Sequence, residues 1–135
     1  MADISALRTG IATNLATITG LRTASEIPDN PSPPIAIVQL SRIAYDGAFA
    51  KGMTTYDFIV SVVVGRAAER EAGRRLDAYA SSTGASSIKL AIESDRTLNG
   101  LAYDLRVSEM QNISAVLLGE ASYLAADFAV TVYAN

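Results

Sequence analysis

The strongest β-strand signal in the chain is residues 53–65, which read MTTYDFIVSVVVG. Threonine, aromatic and β-branched residues dominate this segment, and these residue types favour extended strands. Alternate residues form one continuous apolar face, made of Tyr56, Phe58, Val60, Val62 and Val64. The opposite face mixes polar and apolar side chains, namely Thr55, Asp57, Ile59, Ser61 and Val63. The segment therefore predicts a central strand whose second face is covered either by its own chain or by a neighbouring subunit.

Further segments have strand character. Residues 35–41 are expected to pair antiparallel with the central segment, and residues 21–27 indicate a short edge strand. Residues 102–108 and 121–133 alternate apolar and polar side chains, which is typical of half-buried strands. The apolar residues 113–119 between them could extend a hairpin beyond the sheet. The predicted sheet is mainly antiparallel and has four to five strands.

Two longer segments have helical spacing. Residues 3–20 begin at a possible cap, Asp3, and end at Gly20, with apolar side chains at Ile4, Leu7, Ile11, Leu15 and Ile18. Residues 66–82 carry a narrow apolar side made of Ala68, Ala72, Leu76, Tyr79 and Ala80. A shorter helix is predicted over residues 86–93. The sequence thus predicts a single α+β domain over residues 1–135, with the two main helices packed on one face of the sheet.

Two predicted loops are unusual. Residues 28–34 hold all four prolines of the chain, which makes this a stiff surface loop, either a plain connector or a docking site. Residues 42–52 are longer than a tight hairpin turn and carry two aromatic residues and two glycines. A loop of that length in a small domain requires an explanation beyond connecting two strands.

Composition argues against catalysis and against nucleic-acid recognition. The 135 residues include no histidine and no cysteine, which removes the most common general base and the most common zinc ligands. With 11 basic and 14 acidic residues, the net charge of −3 gives phosphates no overall attraction. We therefore expect no catalytic residue, no cofactor and no metal site. No apolar run is long enough for a membrane span, and the first residues do not resemble a secretion signal, so we expect a cytoplasmic chain.

Basic residues recur every fourth position at the start of the second predicted helix, at Arg66, Arg70 and Arg74. This stripe is either a solvated helix face with local ion pairs or a surface for salt bridges between subunits. We expect an ion pair between Glu71 and Arg75 beside it, because the two residues are one helical turn apart.

The segment Asp95–Ala102 has the pattern D-x-T-L-x-G-L-A and leads into the strand Tyr103–Ser108. Before it come an amphipathic helix, a proline-rich loop, the strand residues 35–38, a long hairpin and an alanine- and arginine-rich helix, and two strands close the chain. This order of elements resembles the tail terminator proteins of siphovirus-type phages, especially those of actinobacterial hosts. The resemblance covers nearly the whole chain, and none of its pieces is a catalytic signature.

The resemblance implies a structural virion protein. Such subunits form a ring, expected here to be hexameric, on the last ring of the tail tube protein, where they end tail growth and join the tail to the head connector protein. DNA would pass through the lumen without sequence-specific binding, and the negative net charge suits that passage. The loop 42–52 would contact the tube or the next subunit through Tyr45, Asp46, Phe49 and Lys51. The arginine stripe would form salt bridges within the ring.

Other functions stay open on the sequence. A head completion or neck connector protein also combines a small α+β fold with ring assembly. A small enzyme or ligand-binding domain would instead require a deep pocket lined by Asp57, Arg106 or Asp127.

Overall fold

The computed structural model describes residues 3–24, 34–45, 53–66, 70–118 and 121–134. It confirms an α+β fold with a five-stranded, mostly antiparallel sheet and helices on one face. The helices are α1 (Ile4–Leu15), α2 (Arg70–Ala80) and α3 (Ile88–Ile92). The strands are β1 (Arg22–Ala24), β2 (Ile35–Ala44), β3 (Thr54–Arg66), β4 (Asp104–Leu118) and β5 (Ala121–Ala134).

The strand order is β1-β2-β3-β5-β4, which places β3 in the centre as its composition predicts. The pair β1-β2 is parallel, and the other three pairs are antiparallel. The edge strand predicted over residues 21–27 is confirmed for Arg22–Ala24, and the rest of that prediction, like the proline-rich residues 28–33, lies outside the described residues. Strands β4 and β5 pair along almost their whole length and form the longest hairpin of the fold.

The main core lies between the helices and one face of the sheet. Every second residue of β3 from Tyr56 to Val64 is fully buried there. The neighbouring strand β5 adds Phe128, Val130 and Val132, and the helix α1 contributes Leu7, Ile11 and Leu15 to the same cluster. Because large apolar side chains from the sheet and all three helices join one cluster, burial of this face stabilises the fold.

Helix α1 begins as predicted but ends earlier than expected. The Asp3 carboxylate accepts the Ser5 N–H at 3.0 Å, which caps the first turn. After Leu15 the backbone changes to bonds between residues three apart, as in Ile18 N–H to the Leu15 carbonyl at 3.0 Å. The Thr17 hydroxyl donates to the Asn14 carbonyl at 2.8 Å and competes with the helical pattern. The prediction of a helix to Gly20 is therefore wrong for its last turn.

Helix α2 is shorter than the predicted 66–82, and this corrects the position of one arginine. Arg66 is the last residue of β3 and pairs with Tyr123 of β5, so it belongs to the sheet. Arg70 is the first residue of α2 in the described part of the chain, and Arg74 follows one turn later. Glu71 forms its ion pair with Arg74, at 3.8 Å, and not with Arg75 as predicted.

Two strands are longer than the alternation of side chains predicts. Strand β2 continues to Ala44 past an irregularity between Leu40 and Arg42, so the predicted loop 42–52 starts later than expected. Strand β4 continues to Leu118 past two register shifts, one of which contains Asn112 with φ +56°. A bulge adds a residue and reverses the side-chain alternation, which hides the continuity of a strand from a sequence pattern. Residues 113–118 do belong to the hairpin, but Ser114, Ala115 and Val116 pair with β5 residues that also pair with β3, so this part lies within the sheet and not beyond it as predicted.

Candidate functional site: the open sheet face and the surface of helix α2

The sheet face opposite the helices, here called the open face, is not covered by any helix of the described residues. On β3 its residues Thr55, Asp57, Ile59 and Ser61 are half-buried, although their neighbours on the other face are fully buried. No helix of the described residues covers this second face, and coverage by other parts of the same chain stays a prediction. Coverage by a neighbouring subunit stays a prediction.

A carboxylate of the central strand links three strands on the open face. Asp57 of β3 forms an ion pair with Arg42 of β2, with 3.2 Å between Nε and Oδ2. On its other side, the Thr131 hydroxyl of β5 donates to Asp57 Oδ1 at 3.2 Å. These bonds hold the strand register and occupy the carboxylate.

A second carboxylate has the same role two rows along the sheet. Asp127 of β5 accepts the Ser61 hydroxyl of β3 at 2.9 Å and the Asn112 amide of β4 at 3.1 Å. Arg106 of β4 lies in the row of Asp57, because it pairs with Thr131. Three residues were expected to line an enzyme pocket: Asp57, Arg106 and Asp127. All three lie on the open face of the sheet.

Two pockets lie away from the open face. One, of about 230 Å³, lies between α2 and residues 19–20 and is lined by Arg75 and Tyr79. The other, of about 400 Å³, lies between α1 and the turn that contains Leu98. Neither is lined by the three expected pocket residues. Among the described residues, no group of three or more acidic side chains is placed to hold a metal ion.

One end of the open face carries a small apolar cluster that is separate from the main core. Its members come from β2, β3 and β5, with a contribution from β1: Ala24, Ile35, Ile37, Val63, Tyr123 and Ala125. None of them belongs to a helix. Ile35, Ile37, Val63 and Ala125 are only 5–8% exposed, so this apolar end of the open face is already buried within the chain.

The structure describes only one of the predicted loop contacts. Tyr45 directly follows β2 and is 65% exposed, as an intermolecular anchor would be. Asp46, Phe49 and Lys51 lie outside the described residues. The three predicted arginines, Arg66, Arg70 and Arg74, are all exposed.

The predicted contact residues do not meet in one place. Tyr45 follows Ala44, which pairs with Thr55 near the start of β3, whereas Arg66 is the last residue of that strand. Eleven residues of strand separate Thr55 from Arg66, a length of about 36 Å at about 3.3 Å per residue. The structure therefore places Tyr45 and Arg66 at opposite ends of the sheet, and the helix α2, which carries Arg70 and Arg74, begins four residues after Arg66.

A charged group that the sequence analysis missed fastens α3 to the edge of the sheet. The Glu93 carboxylate accepts from Lys89 Nζ at 2.6 Å and from the Val107 N–H of β4 at 2.9 Å. Burial alone would raise the pKa of Glu93, but the hydrogen bonds from Lys89 and Val107 and the charges of Lys89 and Arg96 outweigh it and lower the pKa. The i,i+4 spacing of Lys89 and Glu93 was a signal in the sequence; the bond to Val107 was not.

The Asp95–Ala102 segment, which carries the family resemblance, is a tight turn. The Asp95 carboxylate accepts the backbone N–H groups of Thr97, at 3.3 Å, and Asn99, at 2.9 Å. Leu98, Asn99 and Gly100 all have positive φ. Leu98 is 2% exposed and packs so closely on α1 that a Cβ at Gly10 would lie 3.3 Å from its own. The motif residues thus have structural roles within the turn.

Comparison with known proteins adds no assignment. No protein-family model matches the chain, and no curated protein matches it significantly. Within the described residues, no helix is long and apolar enough to cross a bilayer.

Proposed function

We propose that this protein is a structural virion subunit that forms a ring, expected to be hexameric, on the end of a phage tail tube, where it ends tail growth and joins the tail to the head connector protein. The observation that carries the proposal is the one-sided covering of the sheet: helices bury one face, whereas on the other the residues of β3 from Thr55 to Ser61 are only half-buried and no described helix covers them. Such a face is available for contacts with other subunits.

The separation of the predicted contact residues supports a ring. Copies in a ring meet head to tail, so each copy must offer two different surfaces. Tyr45 and Arg66 lie at opposite ends of the sheet, α2 with Arg70 and Arg74 begins four residues after Arg66, and all four side chains are exposed. They supply two such surfaces, an aromatic one and a basic one.

The bonds of the carboxylates also favour a structural role. Asp57 and Asp127 each bond to two neighbouring strands on the open face, and Glu93 fastens a helix end to β4. Catalytic carboxylates work in clefts that admit a substrate. Carboxylates that hold strands together on an open sheet face are better suited to a structural role in an assembly than to catalysis of hydrolysis.

Deletion of the gene from its phage tests the proposal, with electron microscopy of the particles as the measurement. Overlong tails are the expected result, because tail growth would lack its stop. Tails of normal length beside unjoined heads would instead identify a neck connector protein, and normal infectious particles would contradict a structural role at the head–tail junction.

Charge reversal on α2 tests the basic surface. We expect the double variant Arg70→Glu, Arg74→Glu to lower binding to purified tail tubes at least tenfold without unfolding the domain, because both side chains are exposed. The control is Arg75→Glu, another exposed arginine, which lies about 100° from Arg74 around the same helix. Equal losses in both proteins would show that the arginine stripe has no specific role.

A further inference from the structure

The cavity between α2 and residues 19–20 is small and lined by polar side chains. Its volume is about 230 Å³, and the residues that line it include Thr19, Gly20, Pro34, Arg75, Tyr79 and Ser86. Pockets for drug-sized ligands measure about 300–1,000 Å³, whereas one water molecule takes up about 30 Å³ of liquid. The cavity therefore has room for a ligand of a few heavy atoms and not for a large cofactor.

The hydroxyl group of Tyr79 is a buried polar group without a bond. Tyr79 is 5% exposed, and among the residues that the structure describes its hydroxyl has no hydrogen-bond partner. A buried tyrosine hydroxyl usually has such a partner, because an unbonded polar group inside a protein destabilises the fold. Since Tyr79 lines the cavity, a ligand in the cavity is in the position to supply the missing bond.

Arg75 brings a positive charge to the same cavity. It lies one helical turn before Tyr79 on α2, so both side chains leave the same side of the helix. Glu71 forms its ion pair with Arg74, and in the described part of the chain Arg75 has no ion pair. Burial raises the pKa of Tyr79 more than the charge of Arg75 lowers it, so the hydroxyl keeps its proton at neutral pH and can donate it to a hydrogen bond.

The rest of the lining suits an anion. Thr19 and the half-buried Ser86 add two hydroxyl groups, which can also donate hydrogen bonds. None of the described residues that line the cavity is acidic, so no carboxylate lines it that would repel a negative charge. A guanidinium group with neutral donors beside it is a combination that recognises the oxygens of phosphate and carboxylate groups.

We propose that this cavity binds a small oxyanion of the phosphate class, held between the Arg75 guanidinium and the Tyr79 hydroxyl. An ion of five heavy atoms fits the volume of about 230 Å³, and its oxygens accept hydrogen bonds from both groups. The site goes beyond the proposed function, because its ligand is a small ion and neither Arg70 nor Arg74 lines the cavity. Its test is therefore independent of tail-tube binding.

Isothermal titration calorimetry of the full chain with inorganic phosphate tests the site, with chloride added to keep the ionic strength constant. We expect saturable binding of one phosphate per chain with a Kd on the order of 1 mM, which is well within the affinity limit for a ligand of five heavy atoms. Absence of saturation at about 20 mM phosphate, far above the expected Kd, would overturn the proposal.

Substitutions separate the site from general attraction of charges. Arg75→Gln removes the cation and should weaken phosphate binding about tenfold, because hydrogen bonds to charged groups are the stronger ones. Tyr79→Phe keeps the buried ring, removes only the hydroxyl and should weaken binding about fivefold. The matched control is Arg106→Gln, which removes the same charge from an exposed arginine of β4 and should leave the Kd unchanged.

Equal losses in Arg75→Gln and Arg106→Gln would show that phosphate is attracted by net charge alone and would overturn the proposal. An unchanged Kd in a folded Tyr79→Phe protein would also contradict it, because the hydroxyl would then not contact the ion. Circular dichroism shows whether each variant is folded, and Arg75 is exposed, so its substitution should not disturb the core.

A second titration identifies the source of the phosphate group. If a nucleoside monophosphate binds no more tightly than inorganic phosphate, the ligand is the free ion. Tighter binding of the nucleotide would show that the cavity holds the phosphate group of a larger molecule, whose remainder contacts the surface outside the cavity. Both results support an oxyanion site, provided that Arg75→Gln weakens binding of either ligand.

Discussion

The two faces of the sheet differ in burial more than the sequence of the central strand suggests. On the helix face of β3 every side chain from Tyr56 to Val64 is excluded from water, and the neighbours are large and apolar. On the open face the alternating residues are half-buried and bonded across strands through Asp57 and Asp127. One face therefore specifies the fold by packing, and the other specifies strand register and is free to contact other molecules. In the proposed function, stability and assembly depend on opposite surfaces of the same five strands.

Substitution of adjacent residues on β3 should separate the two faces most clearly. Phe58→Ala removes a fully buried ring and should lower the free energy of unfolding by about 3–5 kcal/mol. Ile59→Ala, on the open face, removes a half-buried side chain and should cost only about 1 kcal/mol. Urea denaturation measures both. Similar losses for the two variants would mean that the open face is packed as tightly as the core.

Loss of a buried polar contact on the helix side of the sheet should lower the free energy of unfolding by an intermediate amount. The buried Asn14 amide donates to the carbonyls of Ile92, at 3.0 Å, and Asp95, at 3.2 Å, and so joins α1 to the segment after α3. Asn14→Ala leaves both carbonyls without this donor and should cost about 1–3 kcal/mol. The control, Thr13→Ala, changes an exposed neighbour and should cost less than about 0.5 kcal/mol. Equal effects would show that water replaces the amide.

The smallest loss of stability is expected for a substitution of Glu93 at the edge of the sheet, and this loss should depend on pH. Glu93 has a lowered pKa in the folded protein, so its charge stabilises the fold above the ordinary glutamate pKa of about 4.3, and this stabilisation is lost as the pH falls through the lower folded value. At pH 7, Glu93→Gln should cost about 1–2 kcal/mol, because the neutral amide keeps only part of the bond to Val107. Thermal unfolding across pH 2–7 measures the difference from the wild type.

The difference between the two proteins should shrink below about pH 4, where the wild-type carboxylate becomes protonated too. A constant difference across this range would show that charge on Glu93 has no part in its effect. Half-buried Lys89 is present in both proteins, so the comparison isolates the carboxylate.

The sequence predicted the fold class and the central strand because both follow from periodicity over long segments. It missed what depends on single backbone irregularities: the bulges in β2 and β4 reverse the alternation, so both strands were predicted too short. It placed Arg66 on a helix because four-residue spacing does not reveal where a strand ends. The Leu98-Asn99-Gly100 turn contained a signal, the Asn-Gly pair, but no pattern indicates that the leucine before it has positive φ.

The candidate surface was predictable only in part. Tyr45, Arg70 and Arg74 are exposed, and their contacts with other molecules stay a prediction. No sequence pattern indicated that Tyr45 and Arg66 lie at opposite ends of one sheet. The open face depends on which side the helices occupy, and that is decided by connections between elements. The part of β4 that α3 covers depends on where this helix ends, and the sequence of a five-residue helix does not predict its end.

The claim that the open face and its two end surfaces serve assembly is tested most directly by native mass spectrometry of the purified chain, alone and mixed with tail tubes. The account predicts a ring-sized oligomer, with six copies expected, that forms alone or appears once tubes are added. A chain that never exceeds a monomer or a pair of copies, and that leaves the tubes unbound at every concentration, would contradict it.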